Sequence, residues 1–162
     1  MLKRLILAVF ISSLFLQPVN SAQALEGLIK FVGKKEATVF LELAVTQEEQ
    51  TKGLMDRNSL GENRGMVFIF RPKRQVTFTM KNTLIPLDMI FINRGEILKI
   101  IKNAEPNQTH TLYPSEEEVT EVVEVNDGFT DKHNIKVGDK IMFENIAQID
   151  YSMNSKLMIV GK

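Results

Sequence analysis

Apolar residues along this chain come in short runs, roughly four to eight residues each, closed by glycine, proline, asparagine or clustered charge. That punctuation suits strands and leaves little room for long helices. From Ala37 to Ala44 the chain alternates, with Val39, Leu41 and Leu43 on one face and Thr38, Phe40 and Glu42 on the other. This is the period of a strand. Met66 to Phe70 is a continuous apolar run between Gly65 and Pro72, the pattern of a buried strand, and Gln75 to Met80 follows as another. Arg71, Lys73 and Arg74 fall in the expected turn between them, where solvated charge is the simpler role and phosphate binding the alternative. Asp88 to Ile92 and Ile97 to Lys102 flank Asn93, Arg94, Gly95 and Glu96, which predicts a hairpin. Glu105 to Glu118 reads as a surface loop carrying Tyr113, and Val119 to Val125 as the next strand. Gly138 and Asp139 mark a turn before a strand at Lys140 to Phe143, with weaker apolar stretches at Ile146 to Met153 and Leu157 to Val160.

Helical signals are few. Thr46 and Glu49 stand three apart as a capping box, which predicts a short helix from Gln47 that closes near Gly53. Asp127 to Asn134 has room for a single helical turn. The expected fold is therefore mainly β: a compact antiparallel sheet curled into a barrel or sandwich, with one or two short helices.

The first 24 residues follow a different logic. Lys3 and Arg4 precede an apolar run from Leu5 to Leu16, and Pro18 and Asn20 break it. The run is shorter than the roughly 20 residues a helix needs to cross a bilayer. Ala22 and Ala24 supply the small-x-small pattern of a signal peptidase site. Residues 1–24 are thus expected to be a cleavable signal peptide and residues 25–162 a single periplasmic or secreted domain, an uncleaved anchor being the alternative. The chain contains no cysteine, so disulfides, thiol chemistry and lipid attachment at cysteine are excluded and stability has to come from core burial. Without Lys3 and Arg4, acidic side chains exceed basic ones by two, with signs mixed along the chain. Nucleic acid is not an expected partner, because its binding normally needs a basic stripe. Membrane contact is expected only through the signal peptide.

Standard catalytic signatures are missing: there is no phosphate-cradling glycine loop, no nucleophile elbow and no paired-histidine zinc motif. His110 and His133 both fall in polar segments where exposure is the ordinary state. No loop carries carboxylates at calcium spacing, and neither a cofactor nor a metal site is expected. Polar groups concentrate where the strand ending at Met80 runs through Lys81, Asn82 and Thr83 and re-emerges past Pro86 at Asp88. Those groups can bind a small polar ligand or knit a turn together, with Lys81 and Asp88 as a structural ion pair. Arg57, beside Leu54 and Met55, is a candidate to meet a carboxylate such as Glu124 or Asp88. The candidate ligand-binding set is Arg57, Lys81, Asn82, Thr83, Asp88 and Glu124.

Ala44, Thr46, Glu49, Gly53, Leu54, Met55 and Arg57, then Gly65, Met66 and Phe68, then the block from Phe78 to Phe91, resemble the bacterial and archaeal domain-of-unknown-function family 192. Gly95, Ile97, Pro106, Glu124, Gly128, Gly138 and Asp139 continue the pattern in order, so the resemblance spans Val39 to Met142. It implies a compact, mostly β domain, often exported, with no catalytic residues to carry across. Thr79 stands where this family often has tryptophan, and the segment beyond about Asn145 extends past the usual core. Three functions follow in order of preference: a periplasmic module binding a small polar ligand or an extended peptide; a structural partner in an envelope assembly; and a hydrolase using Asp88 or Glu124 as general base or a carboxylate-held metal. The last lacks an identifiable nucleophile.

Overall fold

Three apolar runs become strands buried on both faces, and the other described elements are arranged around them. The computed structural model describes residues 26–32, 34 and 37–144. Its strands are β1 (Glu26–Phe31), β2 (Thr38–Ala44), β3 (Arg64–Arg74), β4 (Thr77–Phe78), β5 (Leu87–Asn93), β6 (Glu96–Ala104), β7 (Tyr113–Pro114), β8 (Val119–Asn126) and β9 (Ile141–Glu144). Helix α1 (Gln47–Lys52) follows β2, and α2 (Phe129–Lys132) follows β8. A 7-stranded sheet runs in the order β6, β5, β8, β3, β2, β1, β9, and β4 pairs with β7 in a separate ribbon. All pairings are antiparallel except β2 with β3. The sheet curls into a half-barrel whose two edges meet at one end: Ile141 N donates to Gly95 O at 2.9 Å and Ile97 N to Asp139 O at 3.0 Å.

Central strands β3, β5 and β8 separate two apolar layers. Val67, Ile69, Ile90, Ile92, Val123 and Val125 face the concave side, where they meet Ile29, Val39 and Leu41. Met66, Phe68, Phe70, Met89, Phe91 and Val122 face the other way, under segments that contribute Leu54, Val76, Phe78, Met80, Ile85 and Tyr113. A strand covered on both faces gains by burying every side chain, so it reads as a continuous apolar run rather than an alternating one. Gly65 leaves no room for a side chain between β3 and β8: a Cβ there would stand 2.5 Å from the carbonyl oxygen of Glu124.

Local signals translate directly. The Thr46 hydroxyl accepts from Glu49 N at 3.2 Å, and the Glu49 carboxylate accepts from Thr46 N at 2.8 Å, which closes the capping box and starts α1 at Gln47. Gly53, at φ 46°, ends the helix. Arg94 and Gly95, with φ of 49° and 78°, make the two-residue turn of the β5–β6 hairpin, the conformation that matches the right-handed twist of its strands. Two expectations need correction. Arg71, Lys73 and Arg74 do not form a turn; β3 continues through them. The β3–β8 register shifts between Ile69 and Arg74, where Pro72 has no amide to donate, and pairing resumes at Arg74 with Val119. The strand expected over Gln75–Met80 shrinks to Thr77 and Phe78. Strand β1 carries no signal strong enough to be read from sequence. The expected signal segment and the stretches Ile146–Met153 and Leu157–Val160 lie outside the described residues, among which no helix is long and apolar enough to cross a membrane.

Candidate functional site

The outer face of the central sheet is not fully covered. Between α1, the β3 end and the loop before β5 lies a cavity of about 440 Å³, and Glu124 lines it. Register explains why that residue faces the cavity. Glu124 pairs with Met66 on β3 and Met89 on β5, so its side chain shares their face beneath the capping segments. Its neighbours Val123 and Val125 point into the concave core.

The walls come from elements held by their own hydrogen bonds. Gln50 on α1 donates to Ile69 O at 2.7 Å, docking the helix against β3, and accepts from the Arg74 guanidinium at 3.0 Å. The opposite wall is tied through Ser115, which donates its amide to Val76 O at 2.8 Å and accepts from Val76 N at 3.1 Å. Phe78 stands edge-on to Phe68, with ring centroids 4.8 Å apart at 87°, and this pair gives the cavity an aromatic side. Thr77, Thr79 and Thr83 bring hydroxyls to the lining.

Glu124 is 5% exposed, and its carboxyl makes no hydrogen bond or ion pair with any described residue. Burial therefore acts on it unopposed and pushes its pKa up from the ordinary 4.5 to about 8. At neutral pH the group is a carboxylic acid, with a hydroxyl to donate and a carbonyl to accept. Aimed into a cavity without a protein partner, it offers both functions to whatever enters.

Asp88, also buried, is placed oppositely in both senses. It shares the concave face with Ile90 and Ile92, and both of its oxygens are engaged: Oδ1 accepts from Asn103 N at 3.0 Å, Oδ2 from Thr130 N at 3.0 Å and from the Thr130 hydroxyl at 2.6 Å. One carboxylate thus anchors β6 and the start of α2. The expected Lys81–Asp88 ion pair does not form, because Lys81 is exposed on a turn while Asp88 is fully buried. Nor does Arg57 meet Glu124 or Asp88. Its guanidinium makes a two-pronged pair with Glu42, Nη1 to Oε1 at 2.6 Å and Nη2 to Oε2 at 2.5 Å, and the guanidinium holds the Glu42 carboxyl below its usual range. Asn82, at φ 56°, offers its carbonyl to Asp56 N at 2.9 Å and so fastens the loop after α1. Of the six residues singled out from sequence, the cavity brings together Thr83 and Glu124; Arg57, Lys81, Asn82 and Asp88 do not line it.

Sequence reasoning passed over Lys52, Arg74, Phe78 and Thr79 as cavity residues. Thr79 had a signal as the position that departs from the family's usual tryptophan, and Arg74 had one in the basic cluster read as solvated charge or, alternatively, phosphate binding. The other basic residues of the Arg74 cluster are neutralised: Arg71 meets Glu121 at 3.0 Å and Lys73 meets Glu118 at 2.7 Å. His110 is exposed, whereas His133 is half-buried with its ring centroid 4.5 Å from that of Phe129. Among the described residues no group of three or more His, Cys, Asp or Glu side chains could hold a metal ion.

Comparison with known proteins gives a family and two similar folds. The profile of DUF192, described as "Uncharacterized ACR", matches residues 29–143. A crystal structure from Sinorhizobium meliloti 1021, described as a "putative transcription regulator", is 32% identical with a TM-score of 0.69, covering 75% of this chain and 95% of that one. A protein of unknown function from Novosphingobium aromaticivorans DSM 12444 is 35% identical with a TM-score of 0.65, covering 78% of this chain and 89% of the other. No curated protein matches significantly.

Proposed function

The chain belongs to domain-of-unknown-function family 192, and from that premise we propose that it is an exported binding domain that takes a small polar ligand into the cavity above Glu124. Glu124 itself carries this reading. A buried carboxylic acid without a partner costs folding free energy, and leaving it open to a cavity makes sense where a ligand completes its hydrogen bonds. Cavity volume agrees, at about 440 Å³ against the roughly 300–1,000 Å³ usual for small-molecule sites. Export rests on the basic, apolar and small-residue pattern of residues 1–24.

Nucleic acid stays outside this reading, whatever the description of the Sinorhizobium protein. The described helices have six and four residues, short for a recognition helix, and the basic cluster on β3 is largely matched by glutamates.

Native mass spectrometry of protein recovered gently from the cell envelope tests the proposal. The expected result is an N-terminus at Leu25 and a reproducible adduct, lost when Thr79→Trp fills the cavity wall while the fold is kept. An adduct that survives Thr79→Trp would place binding elsewhere, and a bare mass in both proteins would remove the ligand.

A further inference from the structure

Charge around the cavity is lopsided. Lys52, in the last turn of α1, and Arg74, at the end of β3, both line it and both are exposed, which puts them at its mouth. Among the described residues neither makes an ion pair, in contrast to Arg71 and Lys73 on the same strand. Arg74 gives one N–H to Gln50 and lays its guanidinium over the Phe70 ring at 5.0 Å, which orients it and leaves other donors unused. Glu124 is the sole carboxyl among the lining residues, and it lies at the floor. The remaining polar lining is neutral, from Gln47, Gln50 and Gln75 and the threonines.

We propose, building on the binding reading above, that the cavity selects an acylated amino acid, either free or as the last residue of a peptide. Its carboxylate sits at the mouth against Lys52 and Arg74, its apolar side chain lies against Phe68 and Phe78, and its amide meets the Glu124 carboxyl. Two unpaired cations at the entrance attract an anion and repel an amine. A neutral carboxyl and an amide form matched donor–acceptor pairs at the floor, an arrangement that a second carboxylate or an ammonium group does not reproduce as well. The aromatic side accounts for an apolar body between the two polar ends.

Amide NMR shifts of Gly53, Thr79 and Thr83, all on the cavity lining, report occupancy in the ¹⁵N-labelled protein. The probes are N-acetyl-leucine, its uncharged amide N-acetyl-leucinamide, the cation leucinamide, and the peptide acetyl-Ala-Ala-Leu. N-acetyl-leucine is expected to shift these amides and to bind about tenfold more tightly than N-acetyl-leucinamide, a factor in keeping with two exposed charge contacts. The double variant Lys52→Gln, Arg74→Gln is expected to erase that tenfold difference, so that the acid and the uncharged probe bind with equal affinity. Tighter binding of the peptide assigns the site to a chain end, and its exclusion assigns it to the free acid. If the uncharged or cationic probe binds as well as the acid, the ligand class is wrong while the cavity remains a binding site. If no probe moves these amides at millimolar concentration, the ligand class also falls, and the adduct experiment then decides whether the cavity binds anything else.

Discussion

Replacing Glu124 with glutamine keeps the side chain's volume and removes its proton, and the consequence for stability follows from the acid's surroundings. In the folded protein burial raises its pKa to about 8; in the unfolded chain the same group returns toward the ordinary 4.5. Below both values each state holds the proton, and Glu124 does not affect the balance. As pH rises between them, the unfolded chain releases a proton that the folded one retains, so stability falls by about 1.4 kcal/mol per pH unit. The loss accumulates to about 3 kcal/mol near pH 7 and about 4 kcal/mol near pH 8, and levels off at about 5 kcal/mol above that. Glutamine has no proton to release. In the absence of ligand, Glu124→Gln should therefore be more stable than the native protein by about 3 kcal/mol at pH 7 and by less than about 1 kcal/mol at pH 5. Urea denaturation of both proteins in steps from about pH 5 to about pH 8 measures the difference directly. A gap that stays constant across this range, or widens toward acid, would refute a buried neutral carboxyl.

Three other substitutions probe the frame around the cavity. Gly65→Ala pushes a methyl group against the Glu124 carbonyl, 2.5 Å away, and should cost roughly 1–3 kcal/mol in urea denaturation as β3 and β8 are forced apart. Asp88→Asn replaces an acceptor of three hydrogen bonds with a group that can turn a donor toward Asn103 N or Thr130, at a cost of roughly 2–3 kcal/mol; because Asp88 faces the concave side, the affinity of the folded protein for a cavity ligand should be unchanged in a calorimetric titration. Arg57→Ala should cost about 1 kcal/mol at neutral pH, since the pair with Glu42 is partly exposed. The Glu42 pKa is lowered in the folded state, so the pair's contribution is present above pH 4.5 and disappears as acid protonates Glu42; native and variant stabilities should converge there.

Local rules were legible in the amino-acid sequence, and long-range ones were not, for reasons visible in particular residues. Thr46 and Glu49 satisfy each other within a single turn, so the start of α1 needs no knowledge of the rest of the molecule. Arg94 and Gly95 likewise determine their hairpin turn through backbone conformation alone. Asp88 and Glu124 show the limit. Each sits in an apolar strand buried on both faces, where alternation no longer tells inside from outside. Only the register of β8 against β3 and β5 sends one carboxyl to the concave core and the other to the cavity. Arg57 finds Glu42 across the α1 turn, a contact that spacing cannot reveal. Pro72 illustrates the opposite error: it signals a strand end, yet β3 passes it by shifting register.

Carbon-13 NMR of glutamate side-chain carboxyls tests most directly whether a neutral acid waits at the floor of the cavity. The Glu124 resonance, assigned by its loss in Glu124→Gln, should hold the protonated chemical shift at neutral pH and titrate near pH 8. A carboxyl that titrates near 4.5 would be ionised under those conditions, and the proposed pairing with a ligand amide would lose its donor.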